Sequence, residues 1–520
     1  MRSRTAPVTT GLLVLIGALA LAYLVLLAAQ AADIRAVNDW HPDTVIAWVL
    51  TTSPGSGAPR EVVDGSYGFW SVLWLTHLTD SWSFHRTLWD LQPVALWLGT
   101  TACLSWAVRR LAGPLAAALT AALTLCLSSD VLLVMLRPTM HAPTVFAGAV
   151  MALYAVEVAR ERPFGGPRRW AAASVAAALV AGVHLADAQL WIAGMIPLLA
   201  GVGAWWLADR GRRSGRALLA SAAVVAGAIV TWLIAGAAMR AAGYRSQAPE
   251  STSPIDSLSE LGSHARSLLD MVLWLGNGAF ELSTAGVARG LLSAACAVAI
   301  LAGVALPVVL LVRLLVGRAR AADPALLVHL VFWSVVAVAF AAAVVLTDLA
   351  EAPSVRYVVP MLLGAAVTAP LLLRAAAPAR LAALAGTAAI VAGSVLALAD
   401  REIAGQAPGV RATIAAIEAA SQRTGATVGL GVYDLASNVT WATEGRVTSR
   451  PVIDWRVPIC PFEVAVDERW YAPDPALERS FVLWHGTQPP PGLGTPVEAV
   501  ELPGATMFVY DGDVRGRLCR

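Results

Sequence analysis

Two carboxylates and an imidazole stand directly after the first long apolar run of this chain. The stretch "RAVNDWHPDTVIAWVL", residues 35–50, contains Asp39, His41 and Asp43. A carboxylate in an active site can take a proton from an attacking hydroxyl group. Charged residues at the end of an apolar run are either solvated outside the bilayer or part of an active site. The positions of the other polar residues help to distinguish these two roles.

Further ionisable residues border or interrupt the later apolar runs. Burying an ionisable group at membrane depth costs about 2.5–3.5 kcal/mol on insertion scales, so such groups tend to pair and to face a cavity. Arginine binds phosphate through two parallel hydrogen bonds, and together with acid and imidazole groups it suits a phosphorylated lipid and a polar acceptor. These residues are Asp64, Arg137 and His141 in "LRPTMHAP", His184 and Asp187 in "VHLADAQ", Arg245, and Arg356 with Tyr357 in "PSVRYVVP".

The elements that position these residues are predicted membrane spans. The chain has 520 residues, 58% of them hydrophobic, and a mean hydropathy of +0.66, which excludes a soluble protein. Crossing a bilayer takes roughly 20 apolar residues. The sequence predicts about eleven such helices, over 11–30, 90–108, 112–129, 141–159, 170–185, 189–207, 217–239, 287–316, 325–347, 357–373 and 381–399.

The arginines predict the orientation of these spans. Basic residues concentrate in short cytoplasmic joints of membrane proteins. With a cytoplasmic N-terminus, every short joint on the inside is arginine-rich, and an odd number of spans places the C-terminal tail outside. Lysine is absent, which indicates a GC-rich bacterial genome and hence a bacterial plasma membrane. The inner joints carry Arg109 and Arg110, then Arg160, Arg162, Arg168 and Arg169, then Arg210, Arg212, Arg213 and Arg216, then Arg313, Arg318 and Arg320, and finally Arg374 and Arg380.

The predicted domains are a membrane domain over 1–400 and an extracytoplasmic domain over 401–520. Two long outer loops, 31–89 and 240–286, contain half-apolar stretches that favour interfacial helices. The tail combines a helical pattern at 409–425 with short β-type runs separated by Gly, Pro and Asp, which predicts a small α/β domain. Outside the cytoplasm, Cys460 and Cys519 of this tail can form a disulfide. The fold class is therefore a mainly α, polytopic helical bundle with a small α/β domain.

This pattern resembles the GT-C membrane glycosyltransferases, in particular the protein O-mannosyltransferase and aminoarabinose-transferase branch. The resemblance covers roughly residues 10–400 and rests on the acidic residue after the first span, the interfacial stretch in the first outer loop, the arginine-rich inner joints and the "RY..P" that opens a late span. It implies a polyprenyl-phosphate-linked sugar as donor and transfer at the extracytoplasmic face. It also implies an Asp base in the first loop and basic residues that hold the donor phosphate.

Individual residues match this family pattern to different degrees. Asp43 matches the first-loop base best, with Asp39 as the alternative. The family pattern has Asp-Glu, whereas Thr44 follows Asp43 here, so a second carboxylate would have to come from Asp39 or Asp64. Arg356 and Tyr357 match the late Arg-Tyr that binds the donor phosphate, with Arg137 and Arg245 as further candidates. The remaining candidates for lining the substrate site are His41, Asp64, His141, His184 and Asp187.

The sequence thus predicts an inverting glycosyltransferase whose Asp base activates an acceptor hydroxyl of a glycan, lipid or protein. No cofactor is required by this scheme because the leaving phosphate is already charged, although the His and Asp residues leave room for a divalent metal. Two alternatives stay open: a transporter or flippase with a proton relay at His184 and Asp187, and a non-catalytic membrane scaffold. Plainer roles are also open, since Asp43 suits a helix N-cap and Arg356 a snorkelling anchor. Nothing in the sequence indicates nucleic-acid binding.

Overall fold

The computed structural model is mainly helical. It describes residues 6–42, 45, 48–50, 60–63, 79, 81–137, 141–241, 243–247, 253–255, 257–277, 286–316, 323–351, 354–454, 458–463 and 466–519. Several helices begin at a proline, which suits a first turn because the missing N–H would have no partner there. The helices are Ala6–Asn38, Trp82–Ala112, Pro114–Leu125, Ser129–Met135, Ala142–Val158, Pro167–His184, Ile196–Asp209, Arg212–Ala241, Glu260–Trp274, Val287–Val316, Pro324–Val345, Val359–Thr368, Ala377–Ala399, Ala407–Thr424 and Tyr433–Ala442.

The helices confirm the prediction of a multi-pass membrane protein. Each of the eleven segments predicted from hydropathy coincides with a helix or a helix pair. Within the described residues, seven helices are long and apolar enough to cross a bilayer, and the count becomes eight if Pro114–Leu125 and Ser129–Met135 form one span broken by an 89° bend. Ala142–Val158 and Val359–Arg374 are shorter apolar helices. The predicted number of about eleven spans therefore depends on these shorter and broken segments, and also on Pro167–His184, which is not among the seven.

The chain divides into two compact units. The first comprises Met1–Ala29, Leu91–Ile234 and Glu250–Arg401, and contains most of the apolar helices. The second comprises Gln30–Asp90, Ala235–Pro249 and Glu402–Arg520. The C-terminal tail thus shares its unit with the first outer loop and with part of the second, which the sequence prediction had assigned to the membrane domain.

The second unit contains a six-stranded sheet. It is built from β3 (Val428–Val432), β4 (Thr448–Ile453), β5 (Cys460–Pro461), β7 (Arg479–Trp484), β8 (Glu498–Leu502) and β9 (Ala505–Asp511), in the order β5-β4-β3-β7-β9-β8. The strands β4, β3 and β7 are parallel, and the helix Tyr433–Ala442 connects β3 to β4. The tail is therefore an α/β fold, as the sequence predicts.

Both faces of this sheet are buried. Side chains of successive strand residues point to opposite faces. Along β7, Phe481 and Leu483 enter one apolar cluster whereas Val482 enters another, and Met507 and Phe508 of β9 divide in the same way. Continuous apolar runs such as "TMFVY" therefore fit central strands with a core on each side.

A smaller three-stranded sheet joins segments that are far apart in the sequence. It pairs β1 (Arg60–Val63) with β2 (Tyr244–Gln247) in parallel and with β6 (Val466–Asp467) in antiparallel orientation. Each outer loop therefore contributes a strand to the unit that contains the tail. The helix Glu260–Trp274 lies in the second predicted loop, whereas the half-apolar stretch 65–78 of the first loop lies outside the described residues.

Candidate active site

Arg356 and Tyr357 lie on a single 3-10 turn, Val355–Tyr357, just before the helix Val359–Thr368. Arg356 Nη2 donates a hydrogen bond to Tyr357 Oη at 2.6 Å, and the guanidinium lies 4.8 Å from the centroid of the Tyr357 ring. Arg356 Nε is buried and has no hydrogen-bond partner among the described residues. A half-buried cation thus keeps donor capacity beyond its contact with Tyr357.

Asp187 is the centre of a buried hydrogen-bond cluster. Its Oδ2 accepts from Thr144 Oγ1 at 2.6 Å and lies 2.7 Å from His141 Nδ1, and its Oδ1 accepts from the backbone N–H of Gln189 at 3.0 Å. The side chains of His141 and Asp187 are only 5% and 6% exposed. Such a well-satisfied carboxylate fixes the orientation of the imidazole beside it.

Local chain geometry explains why these groups meet. His141 and Thr144 lie at the N-terminal end of the helix Ala142–Val158, which begins with a proline in its first turn. Asp187 lies in the short turn after the helix Pro167–His184 and before the π-helical segment Trp191–Met195. The His141 ring centroid is 6.4 Å from that of Tyr357, so the Asp187 cluster adjoins the Arg356–Tyr357 turn.

A cavity of about 290 Å³ lies beside this turn. Its polar lining comes from Asp130, Arg137, Trp274 and Ser354, and Val355 supplies apolar lining next to Arg356. Asp130 is in the first turn of the helix Ser129–Met135, whose N-cap Ser128 accepts from Val131 N–H. The cavity is thus lined by one cation, one carboxylate and one indole ring.

Sequence reasoning identified Arg137 but missed Asp130 and Trp274. Asp130 directly follows the favoured N-cap pair Ser128-Ser129, but Arg137 lies beyond the end of the helix Ser129–Met135, so no helical spacing links the two residues in the sequence. Trp274 lies at the end of the amphipathic helix Glu260–Trp274 and could be associated with Arg137 only through the tertiary fold.

Asp39, the alternative base, is already engaged in the second unit. Its Oδ2 accepts from Arg86 Nη1 at 2.8 Å, and its Oδ1 accepts from Trp441 Nε1 at 3.3 Å. Arg86 also donates to the backbone carbonyl of Trp441 at 2.6 Å. Burial raises the pKa of Asp39, and the charges of Arg86 and Arg35 oppose this shift. These contacts fit a carboxylate that joins the first outer loop to the tail.

The other candidates are distributed over both units. Arg245 lies exposed on β2 in the second unit, where it is 3.6 Å from Glu468. His41 is half-buried in that unit. His184 is buried at the end of its helix, and its Nδ1 has no partner within the described part of the chain. Asp43 and Asp64 lie outside the described residues.

Two of the cysteines are paired. Cys460 and Cys519 form a disulfide that ties β5 to the C-terminal end. Cys103, Cys126 and Cys296 are free. Among the residues that the structure describes, His, Cys, Asp and Glu side chains form no group of three or more that could hold a metal ion.

The chain is similar to a solved structure, the crystal structure of ArnT from Cupriavidus metallidurans in the apo state, with 15% sequence identity. The similarity covers 94% of this chain and 97% of that chain, with a TM-score of 0.43. No family model matches the chain, and no curated protein matches it.

Proposed function

We propose that this protein is a GT-C-type membrane glycosyltransferase that moves a sugar from a polyprenyl-phosphate donor to an acceptor at the extracytoplasmic face of a bacterial plasma membrane. The observation that carries the proposal is the half-buried guanidinium of Arg356, whose Nε has no partner among the described residues. The two residues before Arg356, Ser354 and Val355, line the cavity that Arg137 also lines.

The two arginines would bind the donor phosphate. Guanidinium groups match phosphate oxygens through charge-assisted hydrogen bonds, which are roughly twice as strong as neutral ones. Tyr357 orients Arg356 through its hydroxyl group, and the imidazole of the buried Asp187–His141 pair lies beside the Tyr357 ring. As the sugar leaves, negative charge accumulates on the lipid phosphate, and fixed cations would stabilise it in the transition state.

A carboxylate would complete the reaction. An acceptor hydroxyl attacks the anomeric carbon in line and inverts it, its proton passes to the carboxylate, and the bond to the lipid phosphate breaks with its electron pair on the phosphate oxygen. Asp43 is the base that the family resemblance favours. Asp130 is a second candidate because it lines the same cavity as Arg137, whereas Asp39 is held by Arg86 and Trp441.

The test is turnover of polyprenyl-phosphate sugars by the purified full-length protein, with donor binding measured separately. We expect Arg356→Gln to weaken donor binding. We expect either Asp43→Asn or Asp130→Asn to lower turnover by about 10²–10⁴-fold with donor binding retained, since this is the usual contribution of a general base. Arg289→Gln is the matched control because Arg289 forms an exposed ion pair with Asp400.

Two results would count against the proposal. Wild-type protein that neither binds nor turns over any polyprenyl-phosphate sugar would favour the transporter alternative. Turnover that survives both Asp43→Asn and Asp130→Asn, but is lost in Asp39→Asn at unchanged stability, would assign the base to Asp39 instead.

A further inference from the structure

A second, larger cavity lies in the first unit, at the opposite end of the helix Ala142–Val158 from His141. Its volume is about 550 Å³. It is lined by four arginines and two carboxylates, with small and apolar residues between them: Arg110, Arg160, Arg162 and Arg213, Glu161 and Asp323, and Ala159, Gly165, Pro324 and Ala325. The helix has 17 residues, so about 25 Å separates this cavity from the His141 end.

Part of this positive charge has an internal structural role. Arg110 Nε donates to the buried Glu157 carboxylate at 2.6 Å. Arg160 and Arg213 donate to the backbone carbonyls of Arg110 and Ala159 at 3.2 and 2.6 Å. Such contacts cap helix C-termini. Each of these bonds occupies one nitrogen, however, and a guanidinium has five N–H donors.

Arg162 is different from the other three arginines. It is exposed, and no described residue forms a hydrogen bond, ion pair or ring contact with its side chain. A preference for arginine in cytoplasmic joints explains why such residues occur there. It does not explain why arginines from three separate joints line one cavity.

The cavity lies where several predicted spans end. Arg110 is in the last turn of Trp82–Ala112, Arg213 is in the first turn of Arg212–Ala241, and Pro324 begins Pro324–Val345. Trp106, 46% exposed, lies one turn before Arg110, whose guanidinium is 5.4 Å from its ring. Exposed tryptophans of membrane proteins concentrate at the level of the lipid headgroups. The position of Trp106 therefore predicts that this cavity lies near the level of the lipid phosphates.

We propose that this arginine cavity binds an anionic phosphate group, as carried by the headgroup of an acidic phospholipid or by a soluble phosphate. Basic pockets between membrane helices bind acidic headgroups, because phosphate oxygens accept from several guanidinium groups at once. Arg162 supplies the cation that has no competing partner among the described residues, and Arg160 and Arg213 supply their remaining donors. The site is separate from the proposed glycosyltransferase site and does not depend on it.

The experiment is lipid binding to the delipidated full-length protein, measured by native mass spectrometry and by the shift in Tm. The probes are phosphatidylglycerol, phosphatidylcholine with the same acyl chains, and inorganic phosphate. We expect phosphatidylglycerol to bind more tightly than phosphatidylcholine and Arg162→Gln to weaken that binding by about tenfold, the effect of losing one charge-assisted hydrogen bond. Arg212→Gln is the matched control because Arg212 does not line the cavity.

The probes separate the two sources of phosphate. A site for a soluble phosphate would be supported if inorganic phosphate raises the Tm of the wild-type protein, Arg162→Gln removes this increase, and phosphatidylglycerol binds no more tightly than phosphatidylcholine. Equal binding of both lipids with no effect of phosphate, or equal loss in Arg162→Gln and Arg212→Gln, would overturn the proposal. Arg213→Gln is a second variant of the cavity lining. If it fails to fold, Arg162→Gln still tests the proposal, because the Arg162 side chain makes no described internal contact.

Discussion

Asp187 accepts hydrogen bonds at both carboxylate oxygens while almost no solvent reaches it. Its Oδ2 accepts from the hydroxyl of Thr144 and lies beside the imidazole of His141. Both residues are at the start of the helix Ala142–Val158, whereas Asp187 follows the helix Pro167–His184. A buried donor that loses its acceptor costs about 1–3 kcal/mol. At the scale of single residues, this carboxylate therefore stabilises the local arrangement as well as orienting His141.

Replacing Asp187 by Ala should lower the free energy of unfolding by about 2–5 kcal/mol, because two buried donors lose one shared acceptor. Asp187→Asn keeps one acceptor oxygen and should have a smaller effect. Tm in detergent micelles measures both, with Asp400→Asn as the control, since Asp400 forms an exposed pair with Arg289. Equal Tm values for Asp187→Ala and Asp400→Asn would contradict the structural role.

His485 gives a pH-dependent prediction in the second unit. Its Nε2 lies 2.9 Å from Asp434 Oδ2, at the end of β7. Burial alone would lower the pKa of His485, but the hydrogen bond and charge of Asp434 raise it above its ordinary value. A raised pKa in the folded state means that the pair stabilises the protein below the unfolded pKa, near 6.5, and that this contribution is lost as the pH rises through the folded pKa.

His485→Gln should therefore destabilise the protein more near pH 5.5 than near pH 8.5, where the neutral imidazole has lost its charge interaction with Asp434. Both side chains are about half exposed, at 51% and 55%, so solvent screening keeps the effect below about 1 kcal/mol. Chemical denaturation at the two pH values, followed by tryptophan fluorescence, measures it. A destabilisation that is the same at both pH values would show that packing rather than charge is responsible.

At the scale of elements, glycines set how closely the helices of the first unit approach. A Cβ atom placed on Gly182 would overlap Thr231 Cβ and would lie 2.6 Å from the backbone oxygen of Ala228. The helices Pro167–His184 and Arg212–Ala241 can therefore pack at this distance only because residue 182 has no side chain. Gly182 is five residues before Asp187, so this contact lies in the helix that leads into the Asp187 turn.

Gly182→Ala should lower the free energy of unfolding by about 1–3 kcal/mol, the usual cost of overpacking. Gly203→Ala is the matched control, because Gly203 is also in a helix and nothing lies within 4 Å of its added Cβ. The control should be neutral or stabilising by up to about 1 kcal/mol, since Ala favours helices over Gly. Tm values that fall equally in both variants would exclude the close contact as the cause.

The elements themselves could be predicted from the sequence to a large extent, because apolar runs of sufficient length have few alternatives to a membrane helix. The bend of 89° between Pro114–Leu125 and Ser129–Met135 was not predicted, although "CLSSD" contains Ser128, a favoured N-cap. Contacts between distant segments could not be predicted at all. His141 meets Asp187 across 46 residues, and Asp39 meets Trp441 across 402, and no local pattern encodes either pair.

At the scale of the whole molecule, the number of spans decides on which side of the membrane the tail lies. In the part of the chain that the structure describes, the seven helices that satisfy length and apolarity give an odd number, as do the predicted eleven, whereas counting the bent pair as an eighth span gives an even number. An odd number places the tail opposite the N-terminus. The disulfide between Cys460 and Cys519 fits an oxidising compartment, where such bonds persist.

We therefore expect the tail to lie outside the cytoplasm. Alkaline phosphatase fused after residue 519 should be active and a green fluorescent protein at the same position dark, because the first requires an oxidising compartment and the second folds poorly after export. Fusions at residue 163, in the arginine-rich joint after Ala142–Val158, should give the opposite result. If the green fluorescent protein fusions at residue 163 and after residue 519 are both fluorescent, the number of spans between these positions is even. The tail would then be cytoplasmic, whereas the proposed acceptor site is extracytoplasmic.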